Sequence, residues 1–229
     1  MSERGHTSGR RPGRPRNTEP SPEYVARMNQ IVETAAKVFQ AKGYDAGSLD
    51  DVAVALDLRK ASLYYYVRSK AELLYRVFDR AITTALDNVQ CCQEIDDPRE
   101  RLAALIRLQA VSVALSPGYF TVFFDQRPRL SPDYEADIRS KERRYLRVFA
   151  EAVDAAVAAG VLPAVDPRFG AQAILGMTSW VYKWFDGERD DPEAFARTCA
   201  ELLLGGGGVA APAGVASSGS PARKAPASA

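Results

Sequence analysis

The sequence predicts an all-α fold, and three observations support this prediction. Polar residues that can cap a helix stand directly before a proline at five points: Ser21-Pro22, Asp97-Pro98, Ser131-Pro132, Asp166-Pro167 and Asp191-Pro192. A proline is well tolerated in the first turn of a helix, because its missing N–H has no partner there. Apolar residues recur every three or four positions behind these caps. No stretch alternates polar and apolar residues with the period of two that a strand requires.

The elements follow in order from the first cap. The first helix presents one apolar face, made of Met28, Ile31, Ala35, Val38 and Phe39. Gly43 is placed to end this helix, because glycine adopts the left-handed backbone that terminates helices. Ser48 to Leu56 is predicted to form a short second helix, Asp57 to Arg59 a tight turn, and Lys60 to Val67 a short third helix.

A longer fourth helix begins at Ser69. Ser69 and Glu72 have the spacing of a full capping box, whereas Ser48 is expected to act as a simple cap of the second helix. The apolar pattern after Ser69 continues for ~20 residues, which corresponds to a helix ~30 Å long. Further helices are predicted between Ser131 and Gly160 and behind the last two caps.

Composition bounds the class of protein. The 229 residues are 46% hydrophobic and 26% charged, which suits a globular protein with a buried core. No run approaches the ~20 apolar residues of a membrane-spanning helix, and the first residues lack the apolar stretch of a secretion signal. We therefore expect a cytoplasmic protein with no membrane partner. The three cysteines have no metal-binding spacing, so reduced thiols are expected.

Two short helices joined by a tight turn have the geometry of a helix-turn-helix, whose second helix enters the major groove of DNA. An ordinary helical hairpin has the same spacing and is the alternative. The third helix carries three successive tyrosines, Tyr64, Tyr65 and Tyr66. Successive residues on a helix point ~100° apart, so these side chains cannot all face a core. At least one of them must face solvent or a partner, although core packing explains the others equally well.

At these residues the sequence resembles the TetR family of bacterial transcriptional regulators. The resemblance runs over Ile31 to Val77 and rests on several spaced motifs: Ala35-Ala36-Lys37-Val38-Phe39, Lys42-Gly43-Tyr44, Asp51-Val52-Ala53, Ser62-Leu63-Tyr64-Tyr65-Tyr66-Val67 and Ser69-Lys70-Ala71-Glu72-Leu73-Leu74. The turn departs from the family pattern, because Asp57 and Arg59 stand where glycine and serine are usual. The resemblance implies a helix-turn-helix DNA-binding domain over residues 22–76 and a helical-bundle domain for ligand binding and dimerisation over residues 77–204.

The same resemblance implies which residues contact a double-stranded DNA operator. Ser48 and Lys70 would face the DNA backbone, and so would the phenol groups of Tyr64 and Tyr66. Tyr65 would lie close to base edges or sugars. The floor of the groove would be contacted by Arg59, Lys60, Ala61 and Ser62. The chemistry agrees, because hydroxyl and ammonium groups bind phosphates and basic side chains pair with guanine.

Charge is distributed unevenly along the chain. The net charge of the whole chain is +1, but residues 1–76 carry +4 and the remainder −3, so the basic end is the end with the motif. Residues 1–21 are a basic arm with the sequence Arg10-Arg11-Pro12-Gly13-Arg14-Pro15-Arg16, which resembles an AT-hook. Arg14 would then enter a narrow minor groove; a solvated basic leader is the alternative. This arm and the tail, residues 205–229, are predicted to be disordered.

Aromatic residues in the second domain are candidates for a ligand site. These are Tyr119, Phe120, Phe123, Phe124, Tyr145, Trp180 and Trp184. Core packing of the same residues is the alternative. The pattern over residues 178–185 resembles that of family members that sense lipid or steroid degradation products as CoA thioesters, so we expect a small apolar ligand such as an acyl-CoA. Its phosphates would be bound by Arg127, Arg129, Arg139, Arg143 and Arg144.

The last two helices are predicted to form a homodimer. The helix after Asp166 would contribute Ile174, Met177, Val181 and Trp184, and the final helix Phe195, Cys199 and Leu202 or Leu203. A helix-turn-helix normally reads two half-sites, which requires two copies of the protein. An intramolecular core made by the same residues is the alternative.

Catalysis has little support in the sequence. His6 is the only histidine and lies in the basic arm, so no nucleophile has an imidazole base and no metal site has an imidazole ligand. We expect no enzyme activity, no cofactor and no metal. The prediction is a homodimeric transcriptional repressor that binds a palindromic operator and is released by its inducer. A regulator controlled by a protein partner or by its abundance, and a helical enzyme, are the alternatives.

Overall fold

The computed structural model describes residues 21–126 and 129–205, and over those residues it contains nine α-helices and no strand. The helices are α1 (Pro22–Ala46), α2 (Leu49–Ala55), α3 (Lys60–Tyr66), α4 (Lys70–Gln90), α5 (Pro98–Leu115), α6 (Pro117–Asp125), α7 (Pro132–Ala158), α8 (Pro167–Ser179) and α9 (Pro192–Leu204). Short 3-10 turns, Cys91–Glu94 and Trp180–Lys183, directly follow α4 and α8. The all-α prediction is confirmed.

Proline marks the first turn of the five helices for which the caps predict it. The side chains of Ser21, Asp97, Asp166 and Asp191 each accept a hydrogen bond from an N–H in the following turn. These bonds satisfy backbone donors that have no partner within the helix. Ser131 stands at the start of α7 without such a bond.

The capping box forms at α2, and its prediction at α4 is wrong. Asp51 accepts from the backbone N–H of Ser48 at 2.8 Å, and Ser48 Oγ accepts from the N–H of Asp51 at 3.1 Å. At α4, Ser69 Oγ accepts from the N–H of Glu72, but the Glu72 carboxylate accepts from the N–H of Arg68 at 2.8 Å. The glutamate side chain is longer than that of aspartate and reaches one residue beyond the cap.

The N-terminal domain packs α1, α2 and α3 around fully buried side chains, which include Ile31, Phe39, Val52 and Leu63. Gly43 interrupts α1 with a φ of 76°, and one further turn carries the chain to Ala46. Helix α4 then leaves this domain and joins the remaining helices. The domain boundary expected between residues 76 and 77 therefore falls inside a continuous helix.

Helices α4 to α9 form the second domain. Its core includes Leu102 and Ile106 of α5 and Ile138 and Phe149 of α7, all fully buried. Helix α5 packs against α9, and α7 packs between α4 and α8. Arg99 at the start of α5 donates to the carbonyl oxygens of Leu204 and Gly205, at 2.8 and 2.6 Å, which ties α9 to α5.

Some of the residues that were predicted to form a dimer interface lie in the core of this chain. Ile174, Val181 and Cys199 are buried within the chain, so this part of the assignment is wrong. The α-helix ends at Ser179, and the 3-10 turn that follows has three residues per turn rather than 3.6. Side chains beyond Ser179 are therefore rotated away from the face that an unbroken helix would present.

Within the described ranges no single helix is long and apolar enough to cross a membrane. Helices α5 and α6 reach that length and composition only when they are counted together, across a bend of 90°.

Candidate nucleic-acid interface and internal cavity

Helix α3 is anchored by two fully buried side chains, Leu63 and Val67. Most other positions, from the cap onward, face solvent: Arg59, Lys60, Ala61, Ser62, Tyr64 and Tyr65 are exposed. Every residue predicted to meet the floor of a groove therefore lies on the accessible surface of the protein. A short helix with one buried row and one polar row has the form of a recognition helix.

The turn between α2 and α3 fixes how the two helices meet. The N–H of Leu58 donates to the carbonyl oxygen of Ala53 at 2.9 Å, and that of Asp57 donates to Val54 at 3.1 Å. Asp57 has a φ of 51°, in the left-handed region where glycine is usual. Aspartate is among the residues that tolerate this conformation, which explains how the turn forms without glycine.

The three tyrosines divide between solvent and core. Tyr64 is 45% and Tyr65 75% exposed, which confirms that at least one of the three must face outward. Tyr66 is half-buried and stacks on Tyr24 of α1, with ring centroids 5.1 Å apart. Tyr24 also meets the edge of the Tyr65 ring at 6.2 Å. Tyr24 was not among the residues predicted from the sequence, although an aromatic residue just after the first cap was a usable signal.

Lys60 of α3 forms an ion pair with Asp50 of α2, with Nζ 2.7 Å from Oδ2. The hydrogen bond and the charge of Asp50 raise the pKa of Lys60. Both side chains are mostly exposed, so the pair is accessible to a competing group of the DNA. Asp50, like Tyr24, was not among the residues predicted from the sequence.

The side chains of Ser48 and Lys70 both form hydrogen bonds within the chain. Ser48 Oγ donates to Asp51 at 2.8 Å. Lys70 Nζ donates to the backbone oxygen of Asp45 at 3.1 Å and lies 4.4 Å from the centre of the Tyr44 ring. Their contact with a DNA backbone stays a prediction, and Arg14 lies outside the described residues.

The two domains are also joined by an ion pair. Arg129, in the segment between α6 and α7, places Nη2 2.6 Å from Oδ2 of Asp45 at the end of α1. Asp45 thus receives a basic side chain from the second domain while its backbone oxygen accepts from Lys70. The end of α1 is a junction between α4, the α6–α7 segment and the helix-turn-helix.

A cavity of about 470 Å³ lies in the second domain, between α4, α5, α6, α7 and α8. Its lining is mainly apolar and comes from Ala81, Ile82, Ala85, Phe120, Phe123, Phe124, Tyr145, Leu146, Leu175 and Gly176. Polar side chains are contributed by Gln109, Arg139, Glu142, Arg143, Gln172 and Ser179. This volume is within the range of small-molecule sites in proteins.

Four of the seven aromatic residues predicted for a ligand line this cavity: Phe120, Phe123, Phe124 and Tyr145. The other three lie elsewhere. Tyr119 is half-buried against the main core, and Trp180 and Trp184 are 61% and 49% exposed on the surface. Of the predicted arginines, Arg139 and Arg143 line the cavity, Arg129 pairs with Asp45, Arg144 is exposed elsewhere, and Arg127 is outside the described residues.

The wall formed by α6 is held in place from outside. The ring of Phe124 stacks on Tyr182, with centroids 5.2 Å apart. Asp125, the last residue of α6, accepts from Lys183 at 3.0 Å and from the Tyr182 hydroxyl at 3.2 Å. These contacts connect α6 to the 3-10 turn after α8.

Over the described ranges, no group of three or more His, Cys, Asp or Glu side chains is arranged to hold a metal.

Two family models match the chain. One, described as bacterial regulatory proteins of the tetR family, matches residues 31–77. The other, described as the tetracyclin repressor-like C-terminal domain, matches residues 95–207. The two matches correspond to the helix-turn-helix and to the domain that contains the cavity.

Curated relatives match over the N-terminal domain. The biofilm operon icaADBC HTH-type negative transcriptional regulator IcaR of Staphylococcus epidermidis is 32% identical over 59 residues, which are 26% of this chain and 32% of IcaR. IcaR of Staphylococcus aureus is 42% identical over 45 residues, which are 20% of this chain and 24% of that protein. The chain therefore spans only a quarter to a third of these relatives.

Solved structures match over most of the chain. PfmR, a TetR family transcriptional regulator from Thermus thermophilus, has a TM-score of 0.72 and 30% identity, over 76% of this chain and 96% of PfmR. AibR in complex with isovaleryl coenzyme A and operator DNA has a TM-score of 0.72 and 29% identity, over 78% of this chain and 98% of AibR.

Proposed function

This chain belongs to the tetR family of bacterial regulatory proteins, and we propose that it is a ligand-responsive, DNA-binding transcriptional repressor of the cytoplasm. It acts as a homodimer on a palindromic operator, through residues 22–76. A small apolar inducer, of the acyl-CoA class, binds within residues 77–204 and releases the DNA. This is the function that the arrangement of the two domains supports best.

The observation that carries the proposal is the position of α4. Its first turn packs at the helix-turn-helix, where Lys70 donates to Asp45, and further along the same helix Ala81, Ile82 and Ala85 line the cavity. One helix therefore belongs to both sites. A ligand that binds more tightly when α4 is tilted shifts the protein toward that state, and the tilt changes the distance between the recognition helices of a dimer. A ligand with equal affinity for the tilted and untilted states would cause no such shift.

An exposed apolar surface supports the homodimer. Phe169 and Trp180, on and just after α8, are each 61% exposed, and Leu202 of α9 is 74% exposed. We call these three residues the α8–α9 patch. They belong to the same two helical segments as Ile174 and Cys199, which are buried in the chain's own core. Large apolar side chains exposed on neighbouring helices commonly mark a contact with another copy of the protein.

The cavity supports an acyl-CoA as the inducer. Its apolar walls suit an acyl chain, and Arg139 and Arg143, one turn apart on α7, supply positive charge at its lining. Arg139 also pairs with Glu135 at 2.5 Å, so only part of this charge is available. The structural match to AibR, which was crystallised with isovaleryl coenzyme A and operator DNA, points to the same class.

DNA binding is tested by titrating the fragment upstream of the protein's own gene with wild type, Lys60→Ala and Tyr64→Phe. We expect weaker binding for both variants, and for Lys60→Ala also a relaxed sequence preference, because its side chain is predicted to contact a base. Lys37→Ala is the matched control, because Lys37 is an exposed lysine in an ion pair on α1. Unchanged binding by both recognition-helix variants would contradict the assignment of α3.

Induction is tested separately, by thermal unfolding and by release of bound DNA. The panel is isovaleryl-CoA, longer acyl-CoAs, steroid fragments and free coenzyme A. We expect an acyl-CoA to raise the unfolding midpoint and to displace the DNA, with free coenzyme A much weaker. DNA binding without a response to any member of the panel would favour a regulator controlled by a protein partner or by abundance.

A further inference from the structure

Three polar side chains form a connected group within the apolar cavity. The hydroxyl of Tyr145 on α7 lies 2.6 Å from Oε1 of Gln109 on α5. Nε2 of Gln109 lies 3.1 Å from Oγ of Ser179, the last residue of α8. Gln109 is only 4% exposed and Tyr145 7%, and both line the cavity with Ser179. We call these three residues the polar triad.

The polar triad has more donor hydrogens than its internal bonds use. The amide of Gln109 carries two donor hydrogens and each hydroxyl carries one, whereas only two hydrogen bonds connect the three side chains. Turning the amide by 180° exchanges its donor and acceptor but does not change this count. Two hydrogens therefore remain to be donated, and burial, which raises the pKa of Tyr145, keeps its phenol protonated.

The surroundings of the triad define what can accept these hydrogens. The lining of the cavity is mainly apolar, with Phe123, Leu146 and Leu175 among its members, and its charged members are Arg139, Arg143 and Glu142. A carbonyl oxygen accepts two hydrogen bonds and donates none, so it complements the triad without leaving a polar group of its own unpaired. An apolar ligand without an acceptor would bury the two donor hydrogens without partners.

We propose that Gln109, Ser179 and Tyr145 form a carbonyl-binding site inside the cavity, which selects an acyl thioester over an equally apolar ligand that lacks the carbonyl. This inference rests on the proposed function, since it concerns the same cavity. It adds the residues that recognise the ligand's polar atom. Arg139 and Arg143 then contact the polar end of the ligand, and the apolar walls contact its acyl chain.

The test compares two ligands that differ only at the carbonyl. Isovaleryl-CoA has it, and S-(3-methylbutyl)-CoA has a methylene in its place. We expect wild type to bind the thioester at least about tenfold more tightly, because the thioether leaves buried donors unpaired. Ser179→Ala and Gln109→Leu are expected to lose most of this preference. Ile82→Val, which alters only the apolar lining, is expected to weaken both ligands alike and to keep the preference.

A second pair separates the failure of this inference from that of the proposed function. The N-acetylcysteamine derivatives carry the same thioester or thioether without the CoA phosphates. Equal binding of thioester and thioether by wild type, or an undiminished preference in both triad variants, would overturn the carbonyl site while leaving the acyl-CoA class intact. If only the short pair binds, with the thioester preferred, the acyl-CoA class is overturned and the carbonyl site is kept. Failure of both pairs to bind would overturn both.

Discussion

Asp57 shows how one residue sets the geometry of the helix-turn-helix. It is exposed and, among the described non-glycine residues, is the one with a positive φ, 51°. A residue with a branched Cβ loses about 1–2 kcal/mol in this conformation. We expect Asp57→Val to lower the free energy of unfolding by about that amount, whereas Asp57→Gly leaves it nearly unchanged. Chemical denaturation measures both, and a valine variant as stable as wild type would refute the role of backbone strain.

At the same scale, the ion pair between Lys60 and Asp50 is expected to weaken DNA binding. Lys60 must leave Asp50 to contact a base, and the carboxylate also repels the DNA backbone. We expect Asp50→Asn to raise the affinity for DNA by up to about fivefold, the value of one exposed ion pair. The measurement is a DNA titration at fixed salt. Asp87→Asn, a change at a position of α4 remote from α3, should have no such effect, and equal effects of the two variants would count against the ion pair.

At the scale of the element, the capping box of α2 predicts a dependence of stability on pH. The hydrogen bonds from Lys42 and Ser48 lower the pKa of Asp51 to about 2, from an ordinary value of 3.8. A lowered pKa means that the stabilisation is complete above the ordinary pKa and is lost as the pH falls through the lowered one. The stability of Asp51→Asn should therefore differ most from that of wild type when the pH is above 3.8, and least when the pH is at or below about 2.

Thermal unfolding between about pH 5 and about pH 2 measures this difference. Ser69→Ala at the start of α4 is the matched control, because its hydroxyl accepts from the N–H of Glu72, a bond that does not depend on the ionisation of Asp51. The loss of stability in this control variant, about 1 kcal/mol, should be the same at the acidic end of the pH range. A difference in stability between wild type and Asp51→Asn that stays constant over the whole pH range would show that the carboxylate does not act through its charge.

At the scale of the whole molecule, the α8–α9 patch predicts the oligomeric state. Trp180 is 61% exposed, so replacing it with glutamate removes little from the core of the chain and places a charge on the patch. We expect Trp180→Glu to be a folded monomer and to bind an operator at least about tenfold more weakly, because one copy contacts one half-site. Light scattering and a DNA titration measure the two effects. Val25→Glu, at an exposed apolar position on α1, should remain a dimer, and a dimeric Trp180→Glu would place the interface elsewhere.

Much of the N-terminal domain was predictable because its signals are local. A cap such as Ser21 and a break such as Gly43 act through hydrogen bonds and backbone angles within a few residues. Asp50 and Tyr24 were missed because their partners, Lys60 and Tyr66, belong to other helices. Glu72 was assigned the wrong partner because a capping pattern does not say how far its side chain reaches.

The sequence by itself determined the all-α class, the starts of the helices that carry a polar cap and the presence of a helix-turn-helix, because capping and helical periodicity are properties of neighbouring residues. Only the tertiary structure decided what each apolar face packs against. It placed Phe123 and Tyr145 at the cavity, left Trp180 on the surface and brought Gln109 together with Ser179, 70 residues away. These outcomes depend on which helices pack together, and the periodicity of a single helix does not contain that information.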